Sequence, residues 1–332
     1  MLSRVAESIY WLSRYIERAE NVARFIEVNL NLSLDMPTGS EQQWWPLVTT
    51  SGDHDDFKKR YALADESAVV RFLTFDTDNP NSIYSCVRSA RENARTVRDV
   101  ISSDMWEQVN QFYLMVRAAA NDSAHGIDSP QEFFRNVRLQ SHLFAGLTDS
   151  TMSHGEGWHF SRVGRLLERG DKTSRILDVK YFILLPNLAD VGTTLDEIQW
   201  SSLLRSASGL EMYRQRFGRI TPQQVVEFLV LDKNFPRAVL YCLTRAHESL
   251  HAISGVPLGT FSNTAEQRMG QLYSELAYAH PDEIIKGGLH EFIDDLQQRL
   301  NLVGEGIFQT FFAMRPINNG HAPKATPVGQ IA

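Results

Sequence analysis

"VVRFLTFDTDNPNSIYSCVRSARENA" (69–94) and "VVEFLVLDKNFPRAVLYCLTRAHESL" (225–250) lie over one another without a gap. Val69, Val70, Phe72, Leu73, Asp76, Pro80, Cys86, Ala90 and Glu92 fall on Val225, Val226, Phe228, Leu229, Asp232, Pro236, Cys242, Ala246 and Glu248. Helical composition alone does not return so many matches at one constant offset, so the stretch reads as one copy of an internal repeat. Trp44, Leu47 and Val48 fall on Trp200, Leu203 and Leu204 at the same offset. At a slightly smaller offset, "YIERAENVAR" (15–24) is echoed by "LLERGDKTSR" (166–175), each with Glu-Arg at its centre, a carboxylate three residues on and an arginine at its end. A short length change in the loop before the tryptophan accounts for the difference. The expectation is a tandem duplication, with units over 1–150 and 151–315 packed as one domain. The small, polar, proline-containing tail over 316–332 is expected to be flexible.

The dominant period is helical. Ile9, Leu12, Ile16, Ala19, Ala23, Ile26 and Leu30 step by three or four along one apolar stripe. Similar stepping runs through 83–117, 131–149, 160–185, 223–231, 237–253, 264–279 and 288–313, and alternating strand patterns are nearly absent. Turn-like breaks fall at "DMPTG" (35–39), "DTDNP" (76–80), "SGVPLG" (254–259) and "AHPDE" (279–283). The fold class is therefore all-α, a helical bundle. Each unit should run as an ER helix, a Trp-bearing helix, a short "VVxFL" helix, a turn ending in proline, and long helices. The proline is expected in the first turn of the next helix, where its missing N–H costs nothing.

At 43% apolar and 22% charged residues, the composition is that of a globular chain. A net charge of −7 argues against nucleic acid as a partner, because phosphate binding needs a basic surface. Cys86 and Cys242 are too few for a disulfide framework or zinc ribbon and sit on apolar helix faces, where core packing is the expected role. No apolar run reaches membrane-spanning length and the first residues lack a signal-peptide core, so the expected location is the cytoplasm, with no membrane partner.

On a helical wheel, Arg14, Glu17, Asn21 and Arg24 form one line, with Arg18 beside them and Trp11 and Phe25 on the same side. The second copy gives Arg165, Glu168, Arg169, Lys172 and Arg175, with Trp158 and Ile176. Solvated faces seldom carry such apolar bulk, so each line reads as a partly buried charge network. Cations exceed glutamates on both lines, and arginine forks match carboxylate and phosphate geometry, so an anionic ligand is one reading. Arg91, Glu92 and Arg95 in "SARENAR" (89–95) could face the same groove. The other reading is structural: such pairs stabilise helices or fix inter-helix register.

"HESLH" (247–251) satisfies the zinc-protease pattern, with His247 and His251 as ligands and Glu248 as base. The repeat argues against it, since His247 and His251 align with Arg91 and Arg95, and no third ligand follows at a recognisable spacing. "SGDHDDFKK" (51–59) reads as a solvated acidic loop. Neither a Walker-type phosphate loop nor a G-x-S-x-G elbow is present, so no cofactor is assigned and a self-sufficient ATP-using enzyme is not expected.

The twin "ER" helices, "ARENAR" followed by "ISSDMWEQVN", and "FPRAVLYCL" resemble the bacterial alpha-E family over about 1–315. That resemblance implies a tandem helical domain found with circularly permuted ATP-grasp ligases, transglutaminase-like cysteine peptidases and proteasome-like hydrolases. It implies a peptide or amide synthesis and modification system in which the ligase makes the bond. Its characteristic residues here would be Glu17, Arg18, Glu168 and Arg169, and by extension the Arg91–Arg95 segment. One departure is "NPNSI" in place of "FPRAV", which leaves Arg237 without a counterpart. The leading expectation is an accessory or substrate-binding component that holds an anionic or peptidic ligand, or the ligase. The alternatives are an enzyme using Glu17 or Glu168 as acid/base or zinc at His247–His251, and a structural partner with no ligand.

Overall fold

The structure, a computed structural model, describes residues 1–35, 44–122, 127, 129–184 and 194–313. The break at "DMPTG" beyond Asp35 and the tail over 316–332 lie outside the described residues. The chain runs as α1 (Ser3–Asp35), α2 (Trp45–Ser51), α3 (His54–Arg60), α4 (Glu66–Thr74), α5 (Ile83–Thr96), α6 (Ser103–Asp122) and α7 (Pro130–Thr151). It continues as α8 (Glu156–Leu184), α9 (Thr194–Ser206), α10 (Leu210–Phe217), α11 (Pro222–Val226), α12 (Val239–Ser254), α13 (Thr264–Tyr278), α14 (Pro281–Gly287) and α15 (Leu289–Ile307). Residues Glu227–Leu231 and Phe308–Phe312 are π-helical continuations of α11 and α15. There is no strand among the described residues, and the fold is all-α.

The long ER helices α1 and α8 form the spine. α1 packs on α8, α5 and α7, while α8 packs on α1, α12 and α15. Their contacts advance together along both helices, from Ile9 beside Gly157, through Ser13 to Ser161 at 2.7 Å, to Glu17 beside Arg169, so the two run in the same direction. Small residues allow the approach. A Cβ on Gly164 would stand 2.4 Å from the carbonyl oxygen of Tyr10, which no side chain tolerates. Ile9, Leu12, Ile16, Ala19, Ala23 and Ile26 are buried as the stripe requires.

Local chemistry sets the helix ends. The side chains of Asp65, Ser82, Thr221 and Asn263 accept from backbone N–H groups at the starts of α4, α5, α11 and α13, each cap contributing about 1 kcal/mol. Gly255 closes α12 in the left-handed region at φ 74°, within the expected "SGVPLG" break.

Three expectations change. The stepping over 83–117 is two helices, because "VRDVIS" turns between α5 and α6 and the Ser102 hydroxyl accepts from the Met105 N–H. The stretch read as an acidic loop over 51–59 contains most of α3: Asp55 and Asp56 lie in its first turn, Lys58, Lys59 and Arg60 in its last, and Phe57 is buried. Pro80 and Pro236 stand ahead of the N-cap residues Ser82 and Ala238, outside the helices, and their carbonyls accept from the thiols of Cys86 and Cys242.

Candidate functional site

Adjacent residues on a helix point in different directions, so Glu and Arg of one ER pair do not face each other. They face the other helix. Arg169 donates from Nε and Nη2 to the two oxygens of Glu17 at 2.9 and 2.8 Å. Arg18 donates from Nε and Nη2 to the two oxygens of Glu168 at 2.7 and 3.0 Å. Arg14 adds a bond from Nε to Glu168 at 2.8 Å. Both glutamates are buried, Glu17 at 1% and Glu168 at 0% exposure.

Burial alone would raise both carboxyls. Arg169 and Arg237 overcome it at Glu17, and Arg18, Arg14 and Lys172 overcome it at Glu168, holding both below the usual carboxylate range. The glutamates are thus ionised, desolvated and bidentately bound, the geometry in which an arginine–carboxylate pair is strongest.

Around Glu17 stand Glu20, Asn21, Arg24 and Arg237. Arg237 reaches Asn21 Oδ1 at 3.0 Å and Glu17 at 3.4 Å, and also binds Glu20. Arg24 binds Glu20 at 2.9 and 2.6 Å and donates to the hydroxyl of Ser208. Ser141, from α7, donates to Glu20 at 2.6 Å. Around Glu168 stand Asp171, Lys172, Arg175 and Asn81. Arg175 donates to Asp171 at 2.9 Å, and Lys172 lies 3.4 Å from Asp171 and 3.8 Å from Glu168. Arg18 donates to Asn81 Oδ1 at 2.7 Å, and Asn81 donates to Asp53 at 2.7 Å.

The two centres solve one charge problem in exchanged order. One has an amide on its helix (Asn21) and a cation from the turn (Arg237). The other has a cation on its helix (Lys172) and an amide from the turn (Asn81). Burial lowers Lys172 below the usual lysine range against Asp171 and Glu168, and lowers Arg237 to about 10 against Glu20. The departure at "NPNSI" is therefore offset by Lys172. Each centre keeps a thiol beside it, and burial pushes Cys86 and Cys242 up to about 12.

Of the expected site residues, the structure brings together Arg14, Glu17, Arg18, Asn21, Arg24, Glu168, Arg169, Lys172 and Arg175. Arg165 lies close by, but its buried Nε has no hydrogen-bond partner, and burial with the adjacent Arg169 lowers its pKa. Arg91, Glu92 and Arg95 stand apart. Arg91 donates to Asn110 on α6 at 2.8 Å, and Arg95 pairs with Glu92 on the exposed side of α5. His247 and His251 close on each other, Nε2 to Nε2 at 3.0 Å, with Nδ1 of His251 at 2.9 Å from the Val256 carbonyl. Glu248 instead faces Arg245 and Arg162. Among the described residues no group of three His, Cys, Asp or Glu side chains is placed to hold a metal ion. Sequence reasoning left out Glu20, Asp171, Arg237 and Asn81; the carboxylate that follows Glu-Arg in both copies was the available signal.

Among the described residues no helix is long and apolar enough to cross a membrane. Uncharacterized proteins of Mycobacterium bovis and of two strains of Mycobacterium tuberculosis are 24% identical to the chain over 306 residues. The match covers 85% of this chain and 33% of each relative, so the chain spans about a third of their length. No solved structure matches. The model of the Alpha-E family, described as a predicted alpha-helical domain with a conserved ER motif, matches residues 1–312. The chain, with its two ER motifs paired across α1 and α8, belongs to the Alpha-E family.

Proposed function

We propose that this chain is a non-catalytic, cytoplasmic component of an ATP-grasp-linked peptide or amide synthesis or modification system, holding an anionic or peptidic ligand for the ligase. The observation that carries this reading is the state of the ER centres. Arginine forks keep Glu17 and Glu168 ionised, whereas a general acid or base needs a pKa near working pH. Thiols raised to about 12 are poor nucleophiles. Yet Arg14, Arg18, Arg24, Arg169, Lys172, Arg175 and Arg237 outnumber Glu17, Glu20, Glu168, Asp171 and Asp53, which leaves a positive field suited to an anionic group. The mycobacterial relatives carry the matched region within much longer chains, which supports work in association with other domains. The reciprocal pairing of Glu17 with Arg169 and Glu168 with Arg18 supports a tandem duplication over 1–150 and 151–315.

The test is co-expression with a circularly permuted ATP-grasp protein encoded beside it, followed by affinity capture and ligase turnover measurements. A stable complex with faster turnover is expected. No complex and no stimulation would remove the accessory reading. The closed pairing of the ER centres also favours a second reading, a structural partner without a ligand. If Arg18→Ala and Arg169→Ala lower thermal stability but leave ligase stimulation intact, these arginines serve structure alone.

A further inference from the structure

A cavity of about 390 Å³ opens beside the ER clasp, between α1, α8 and α15. This is the lower end of the size range of small-molecule sites. Arg14 lines it. Nε and Nη2 of Arg14 are turned to Glu168 at 2.8 Å, and Nη1 reaches the Tyr10 hydroxyl at 3.1 Å. Nη1 carries two N–H groups, so one remains for a ligand oxygen. A Cβ added at Gly304 would stand 4.0 Å from Nη1, so a longer side chain there would compete for the space beside it.

The remaining wall is mixed. Trp11 stacks 4.9 Å from the Arg14 guanidinium, and Phe308 and Phe312 close the apolar side. Those two phenylalanines lie on the π-helical end of α15, and single π turns recur at functional sites. Asp171 and Glu305 supply negative charge. Asp171 binds Arg175 and Lys172 through Oδ2, and a carboxylate has a second oxygen that can accept from a donor. Glu305 is loosely held, 3.5 Å from Arg268 and more than half exposed. A purely anionic ligand would meet both carboxylates, and a purely cationic one would meet Arg14.

We propose that this cavity binds an amino acid with an apolar side chain and a free ammonium group, either alone or as the first residue of a peptide. Its carboxylate or carbonyl oxygen meets Arg14 Nη1, its ammonium faces Asp171 and Glu305, and its side chain lies against Trp11 and Phe308. The inference rests on the reading of the chain as a ligand-holding component, and it names the site. At the corresponding positions of the other ER helix, Ser161 and Arg162 replace Tyr10 and Trp11, so these two aromatics are not repeated there.

The test is isothermal titration calorimetry of the full chain with leucine, Leu-Gly-Gly and N-acetylleucine. One leucine or one tripeptide should bind per chain, and N-acetylleucine should bind at least roughly tenfold more weakly. Binding of leucine alone identifies the free amino acid as the source, and binding of the tripeptide alone identifies a peptide end. Gly304→Leu should abolish binding without loss of thermal stability, because leucine is a better helix former than glycine. Glu305→Lys, on the exposed rim, should weaken binding roughly tenfold or more. The proposal falls if neither leucine nor Leu-Gly-Gly binds at about millimolar concentration, if N-acetylleucine binds equally well, or if Gly304→Leu binds like the wild type. A ligase complex that forms without amino-acid binding sinks this site and leaves the accessory reading. Leucine binding without a ligase complex does the reverse.

Discussion

Arg169 grips Glu17 through two parallel hydrogen bonds from the neighbouring helix, at 2.9 and 2.8 Å. The residue next to Glu17, Arg18, grips Glu168 in the same way. An ER dipeptide is therefore half of a lock whose other half is a second ER dipeptide. Register between α1 and α8 is fixed by both pairs at once, because sliding either helix breaks both.

Removing one partner should cost more than the pair contributes. Glu168→Gln leaves Arg14 and Arg18 without their carboxylate, and a buried charge stripped of its partner typically costs about 3–5 kcal/mol. Chemical denaturation should show a loss of that size, and Arg18→Ala added to Glu168→Gln should cost less than the sum of the single changes. Strict additivity would mean that the two side chains do not interact.

The pH dependence has a defined sign. Glu17 and Glu168 have folded pKa values below their ordinary 4.5, so the unfolded chain takes up protons first as pH falls. Their stabilisation is fully present above about pH 4.5 and is lost progressively below it. Melting temperature should fall steeply below that point, and Glu17→Gln with Glu168→Gln should flatten the acid limb. An unchanged limb in the double variant would assign it to other carboxylates.

Thiol chemistry should be silent in the folded state. Cys86 and Cys242 are buried, with pKa values pushed up to about 12. A thiol-disulfide reagent at mildly alkaline pH should modify neither until denaturant unfolds the chain. Fast labelling of the native protein would contradict this burial.

The exchanged order of amide and cation makes a sharper test. Arg237→Asn strips Glu17 and Glu20 of a buried cation and should destabilise by about 3–5 kcal/mol. Adding Asn21→Lys rebuilds the arrangement seen at Lys172 and Asn81, and should recover about half of the loss in thermal melts. No recovery would mean that the two centres are not interchangeable.

The all-α class was legible because the apolar stripe of α1 depends only on spacing. The Glu-Arg lines were legible as buried networks because Trp11 and Phe25 share their side of the wheel. Which arginine each glutamate meets was not legible. One helix wheel cannot show that Glu17 faces Arg169 rather than Arg18, since that depends on how two distant helices cross. Arg237 was visible only as a residue without a counterpart: it stands in the turn before α12 and not within the helix its stepping suggested, so no wheel could show which carboxylates it meets. The misreading of 51–59 as a loop came from weighing its charges and overlooking the single apolar anchor, Phe57.

The sequence separation across the spine sets an order of events during synthesis. Glu168 lies 150 residues after Arg18. At about 5–20 residues per second, roughly eight to thirty seconds pass between translation of the two. For that interval α1 carries arginines whose partner carboxylate has yet to be translated, and closure of the lock waits for α8. The arginines of α1 are thus neutralised well after they are made. This delay between birth and burial follows from the 150 residues that separate Arg18 from Glu168.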